Sequence, residues 1–153
     1  MAEPVPFKPL KEFGVLALSE ESEIRFYVDE WKGRRYASIR QFLKRKGYTG
    51  PTKAGVTMNA QLAEQILGAL EKLPKEPDTT EDKELARFPR RAGIELVVRI
   101  TIYKSTTGID LREWVDDTTY KGWSKKGVRL PYGELADSVA YLRGMRDFLA
   151  AAS

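Results

Sequence analysis

The sequence predicts an α+β protein built from two tandem modules, each a set of antiparallel strands followed by one helix, paired within the chain about an approximate twofold. Three observations predict it. First, the 153-residue chain repeats itself in one ungapped frame: Arg40 in Ser38-Ile39-Arg40-Gln41-Phe42-Leu43 and Arg112 in Asp110-Leu111-Arg112-Glu113-Trp114-Val115 stand 72 positions apart. The same step of 72 carries Lys32, Tyr48, Gly50, Lys53 and Gly55 onto Lys104, Tyr120, Gly122, Lys125 and Gly127. Second, each copy begins with period-two alternation of apolar and polar residues, the signature of strands with one buried face. Third, each copy ends in apolar residues at three- and four-residue spacing, the signature of one amphipathic helix. Neither half alone can bury much apolar surface, so the two most simply form one body with an internal twofold.

In chain order, residues 1–12 contain three prolines and no apolar run, which reads as a flexible arm and neither a signal peptide nor a membrane anchor. The first module spans 13–74. Phe13 to Leu18 reads as a short strand present only in this half. Ile24, Phe26 and Val28 then alternate with Arg25, Tyr27, Asp29 and Trp31, and Lys32-Gly33 marks a tight turn. Ala37, Ile39, Gln41 and Leu43 alternate with Arg34, Tyr36, Ser38, Arg40 and Phe42. A loop with Gly47, Gly50 and Pro51 precedes a short strand around Val56 to Met58. Asn59 caps a helix with Leu62, Ala63, Ile66, Leu67, Leu70 and Leu73 on one face, and Pro74 ends it.

Residues 75–93 mix prolines with charges, have no sustained period and read as a linker. The second module, 94–153, repeats the pattern with Leu96, Val98, Ile100 and Ile102, then Ile109, Leu111, Glu113 and Val115, then Gly127 to Leu130. Its helix begins near Pro131, where a missing amide proton costs nothing, and carries Leu135, Val139, Leu142, Met145 and Leu149.

Composition narrows the chemistry. At 42% hydrophobic and 31% charged residues, the chain has the material for a core. It contains no cysteine and no histidine, which removes disulfides, thiolate metal sites and the usual nucleophiles and general bases. Only carboxylate or lysine chemistry remains, which weighs against an enzyme. A net charge of +4 gives a mild preference for polyanions, so the placement of the cations matters more than their sum.

That placement distinguishes the two faces of each sheet. The aliphatic face is core, coverable by a single helix. The other face of the first copy would show Arg25, Tyr27, Trp31, Arg34, Tyr36, Arg40 and Phe42 together; the second copy offers Arg99, Tyr103, Arg112 and Trp114. Aromatic rings among cations suit single-stranded nucleic acid, because an unstacked base gains roughly 1 to 3 kcal/mol on a ring while Arg and Lys neutralise phosphates. The competing use of such rings is packing against the sister half. Phe42 and Trp114, next to the apolar edge, fit that structural role best, and Trp31 and Tyr103, beside Lys32 and Lys104 at turns, fit the exposed one. Tyr48 to Gly55 and Tyr120 to Gly127 each put lysine and an aromatic on a glycine-rich loop. Neither has the spacing of a nucleotide-hydrolase phosphate loop.

The run Trp31-Lys32-Gly33-Arg34-Arg35-Tyr36-Ala37-Ser38-Ile39-Arg40-Gln41-Phe42, followed by Lys53-Ala54-Gly55-Val56-Thr57-Met58, resembles the aromatic-Lys-Gly, Ile-Arg-Glu-aromatic and Lys-Gly-Ile-Ser-Leu pattern of the Positive Cofactor Four family of single-stranded-DNA-binding transcriptional coactivators. Ile109 to Trp114 with Lys125-Lys126-Gly127-Val128-Arg129-Leu130 resembles the same pattern again. The resemblance implies two β-β-β-β-α modules, paired through their helices as an intrachain pseudo-dimer that presents two sheet surfaces to single-stranded DNA. It implies nucleic-acid contacts at Trp31, Lys32, Arg34, Arg40 and Lys53 in the first copy, and at Tyr103, Lys104, Arg112, Lys125 and Lys126 in the second; Tyr36 joins the candidate set from its place on the same sheet face. Ser105 and Thr106 replace Gly33 and Arg34, Leu43 and Val115 stand where a second aromatic is common, and Ala54 replaces the lysine that Lys126 retains. Unequal halves are therefore expected.

The expected function is sequence-tolerant single-stranded-DNA binding in transcription regulation, replication or repair, with no catalytic residue, cofactor or metal. RNA is the alternative polymer, and a homodimer that swaps halves is the alternative assembly. No membrane role is expected, and the expected location is cytoplasmic and nucleoid-associated in a bacterium or virus, nuclear in a eukaryote. Two other classes remain: a protein-interaction module using the aromatic and basic face, and a metal-dependent nuclease around Asp116 and Asp117, a pair better read as a solvated turn.

Overall fold

The computed structural model describes residues 7–151. Four strands, β1 (Lys11–Ala17), β2 (Ser22–Trp31), β3 (Arg34–Arg45) and β4 (Tyr48–Met58), form an antiparallel sheet in chain order and lead into helix α1 (Ala60–Glu71). A second antiparallel sheet, β5 (Lys83–Arg91), β6 (Ile94–Tyr103), β7 (Thr106–Asp116) and β8 (Lys121–Pro131), leads through a 3-10 turn at Tyr132–Glu134 into helix α2 (Leu135–Ala151). The architecture is thus two tandem β4-α modules.

The frame of 72 persists into detail. Both sheets break register at the same place, between Arg40 and Phe42 and between Arg112 and Trp114. Both β-hairpin tips are two-residue turns with positive φ at each position, Lys32 (51°) and Gly33 (76°) against Lys104 (48°) and Ser105 (63°), the geometry that matches right-handed strand twist. Tyr48 and Tyr120 each donate a hydroxyl hydrogen bond to the carbonyl three residues on, at Pro51 and Trp123.

Ile24, Phe26, Val28, Ala37 and Ile39 point to the helix side of the first sheet, and Leu96, Val98, Ile100, Ile109 and Leu111 to that of the second, and together with both helices they make one continuous core. Each such fully buried side chain contributes roughly 1.5–3 kcal/mol relative to exposure. Asn59 caps α1 as its position predicts, its side chain accepting from the Leu62 amide at 2.9 Å.

Three expectations need correction. The stretch read as a linker contains β5, so the strand ahead of the alternation belongs to both halves. The glycine-rich segments are not loops but the first turns of pairing in β4 and β8, and Pro51 is accommodated because β4 is an edge strand. Residues 1–6 of the expected arm lie outside the described residues, whereas Phe7 packs at 4.8 Å from the rings of both Tyr27 and Phe42, and Lys11 and Glu12 open β1.

Both helices pack across the modules. α2 packs against β1, β2 and β3 of the first sheet, with Tyr141 against Phe26 at 5.2 Å and Phe148 against Phe13 at 5.8 Å, while α1 lies against β5 of the second as well as against β3 and β4. The helices also pack on each other, flanked by the ion pairs Arg143–Glu71 (3.2 Å) and Arg146–Glu64 (3.1 Å). Close approach of Tyr141 explains Gly14: a Cβ there would lie 2.3 Å from the ring. Strands β4 and β8, the inner edges of separate sheets, run beside one another between the modules.

Candidate nucleic-acid interface

Cross-strand pairing sets the outer face of the first sheet. Arg25 opposes Arg40, Tyr27 opposes Ser38, Asp29 opposes Tyr36 and Trp31 opposes Arg34. This face is not the open display that alternation alone predicts. Phe7 closes over Tyr27 and Phe42, whose three rings meet edge to face and leave Phe42 only 3% exposed. Arg25 is pinned by Glu23 and by Glu12 at 3.2 Å, and its guanidinium lies over Phe42. Burial pushes the Glu23 carboxyl up, but hydrogen bonds from Lys44 and Arg25 outweigh it and hold the group below its usual range.

The remainder stays open. Trp31 is 65% exposed at the β2–β3 tip, with the Lys32 ammonium 4.5 Å from its ring centroid. Tyr103 repeats the arrangement at the β6–β7 tip, 62% exposed with Lys104 at 5.4 Å. From Trp31 a track runs inward. Arg34 and Tyr36 border a hollow below the first hairpin, Tyr36 and Arg90 border the next, and Arg90 borders a groove of about 540 Å³ between the modules.

That groove gathers Arg40, Lys53, Lys125 and Lys126, four of the sequence-predicted residues, and adds Arg90 and Arg91, which sequence reasoning placed in a linker. The signal for them was the frame of 72 itself, which maps β1 onto Lys83–Pro89 and so places a strand and its hairpin there. Glu113 is the acid in the groove wall, buried and paired to Arg90 at 3.4 Å. Burial lowers the Arg90 pKa, Glu113 opposes that, and the neighbouring Arg91 charge adds to it.

Arg40 lies flat across β4 because Gly55 has no Cβ, which would sit 2.8 Å from it. Its guanidinium donates to the Thr52 carbonyl at 2.9 Å and the Thr57 hydroxyl at 3.1 Å, neutral acceptors that fix its direction without cancelling its charge. Arg112 has the same bed at Gly127 and the same carbonyl bond, to Ser124 at 3.2 Å. Its charge, however, goes to Asp110: Nε and Nη2 each donate to the carboxylate at 3.2 Å, and Arg99 adds a third bond at 3.0 Å. Arg99 also stacks at 4.0 Å on Trp123, which packs edge-on against Trp114. The structure therefore brings Arg34, Tyr36, Arg40, Lys53, Lys125 and Lys126 onto one track begun by Trp31 and Lys32. Tyr103 and Lys104 stand on the other hairpin, and Arg112 is held in an ion-pair network.

Among the described residues no cluster of metal-ligating side chains occurs. Asp117 accepts from the Thr119 amide and hydroxyl and the Tyr120 amide, bonds that lower its pKa and make it the acceptor of a turn. No described helix is long and apolar enough to cross a membrane.

Residues 18–69, from the β1–β2 turn almost to the end of α1, match the family model described as Transcriptional Coactivator p15 (PC4). No curated protein matches the chain. Residues 18–69 of the first module are thus similar to the PC4 family of transcriptional coactivators, and a second module of the same architecture follows them in the chain.

Proposed function

We propose that the chain binds single-stranded DNA with little sequence preference, in support of transcription, replication or repair, and does so without catalysis. The observation that carries this reading is the pair of solvent-facing rings, Trp31 and Tyr103, each beside a lysine at a hairpin tip. An exposed indole beside a cation leaves a ring face on which a base can stack. Unpaired bases offer such a surface and duplex DNA does not, since its bases are already stacked. The cations leading inward from Trp31 follow the path a phosphate backbone requires. The family match supports the same polymer.

Fluorescence anisotropy with single-stranded and duplex oligonucleotides of one sequence, at two salt concentrations, tests this. The expected result is tighter binding of the single strand that weakens with salt. Combining Trp31→Ala with Tyr103→Ala should reduce affinity about tenfold or more, at roughly 1–3 kcal/mol per lost stack, while the circular dichroism spectrum stays unchanged. Equal affinity for both forms would reject the reading.

A further inference from the structure

We propose that the fused pseudo-dimer keeps one nucleic-acid groove where its twofold would generate two, and that Arg90 and Arg91 of the β5–β6 hairpin are contact residues of that groove. This rests on the single-stranded-DNA reading and adds a location, a stoichiometry and two contacts to it.

A symmetric pair of modules has two equivalent grooves, so each wall residue of one has a mate 72 positions away in the other. The mates here differ in charge. Arg90 and Arg91 correspond to Leu18 and Ser19, and Lys126 corresponds to Ala54. Three of the six cations that face the observed groove are therefore absent from the mate. Lys53 and Lys125 correspond to each other and distinguish nothing. The remaining cation, Arg40, corresponds to Arg112, whose charge is neutralised by Asp110, a residue that replaces Ser38. Against this, Arg129 stands where the first half has Thr57 and keeps its charge, since it donates to the neutral Thr101 hydroxyl and carbonyl and the Thr106 carbonyl at 2.8–3.1 Å, and the acid Glu113 corresponds to the neutral Gln41.

The balance favours the observed groove. It holds six cations against one acid, whereas the corresponding set holds the shared Lys53 and Lys125, Arg129 and the neutralised Arg112. A phosphate backbone is held more strongly by the first than by the second. Arg91 is exposed and has no ion-pair partner among the described residues, so its charge is free for a ligand.

Titration calorimetry of the full chain with an oligothymidylate of about eight nucleotides tests the proposal. One oligonucleotide per chain is expected. Arg91→Gln and Lys126→Gln should each weaken binding several-fold and lower the slope of log affinity against log salt by about 0.7, the value for one phosphate contact to a single strand. Two oligonucleotides bound per chain with comparable affinity would overturn the proposal. So would affinity and salt slope unchanged in both variants while Trp31→Ala loses binding, an outcome that leaves single-strand binding itself intact. Absence of binding by the unmodified chain would reject that underlying reading as well.

Discussion

The outer faces of the two sheets share a backbone and differ in what they do with charge. Arg40 and Arg112 lie on glycines, donate to the same carbonyl position and occupy the same register, yet Ser38 leaves the first charged and Asp110 cancels the second. In the first module the aromatic cover comes from outside the sheet, through Phe7 on Tyr27 and Phe42; in the second it is built in, through Trp114, Trp123 and the Arg99 stacked on them. At this pair of positions the first module keeps its cation for a ligand and the second spends it on its own fold, while Arg90, Arg91, Lys125 and Lys126 of the second module face the groove. Duplication followed by fusion permits this division, because each position of a twofold pair becomes free to change independently.

The division makes stability and binding separable by mutation. Asp110→Ala should destabilise the protein by roughly 2–4 kcal/mol in urea unfolding, because it strands two half-buried guanidinium groups. Ser38→Ala at the matching position should cost about 1 kcal/mol or less, since the hydroxyl makes only a long contact to Thr57 at 3.4 Å. Equal losses would show that the two sites are structurally alike. The packing of the helices across the modules is unequal too: Tyr141 of α2 crosses Gly14, whereas the matching pair, Ala69 of α1 and Ala86, lines an open cleft. Gly14→Ala should therefore cost about 1–3 kcal/mol through overpacking, and Ala86→Gly less, at most about 1 kcal/mol from backbone entropy.

The smallest effect concerns acid. Glu23 is held below its ordinary pKa by Lys44 and Arg25 despite burial, so its ion pairs stabilise the fold above the unfolded-state value and lose that contribution as pH falls through the lower folded value. Thermal melts should show Glu23→Gln less stable than the unmodified chain at neutral pH, by under about 1 kcal/mol. The gap should begin to narrow as pH falls below roughly 4.3 and close below the lower folded value.

Much of the scaffold was legible because the repeat frame and the alternation report on backbone periodicity directly. The frame, both central hairpins, both helices and the Asn59 cap follow from it, as do the exposed Trp31 and Tyr103 and the buried Phe42. β5 was hidden because Arg87 and Pro89 stand where β1 has Val15 and Ala17, which breaks the apolar pattern although the step of 72 still maps one strand onto the other. Losing β5 to a linker also lost Arg90 and Arg91 from the interface. The packing of the helices across the modules left no trace, since an apolar stripe says that a helix is covered but not by which sheet. Phe7, a lone ring among prolines, gave no periodic signal of the surface it covers.

The comparison of Arg40→Gln with Arg112→Gln in single-stranded-DNA anisotropy titrations, at a temperature where circular dichroism shows both folded, tests the division of labour most directly. Arg40→Gln is expected to weaken binding by about three- to tenfold, and Arg112→Gln to leave affinity within about twofold while lowering the unfolding midpoint. Equal losses of affinity from the two substitutions would contradict it.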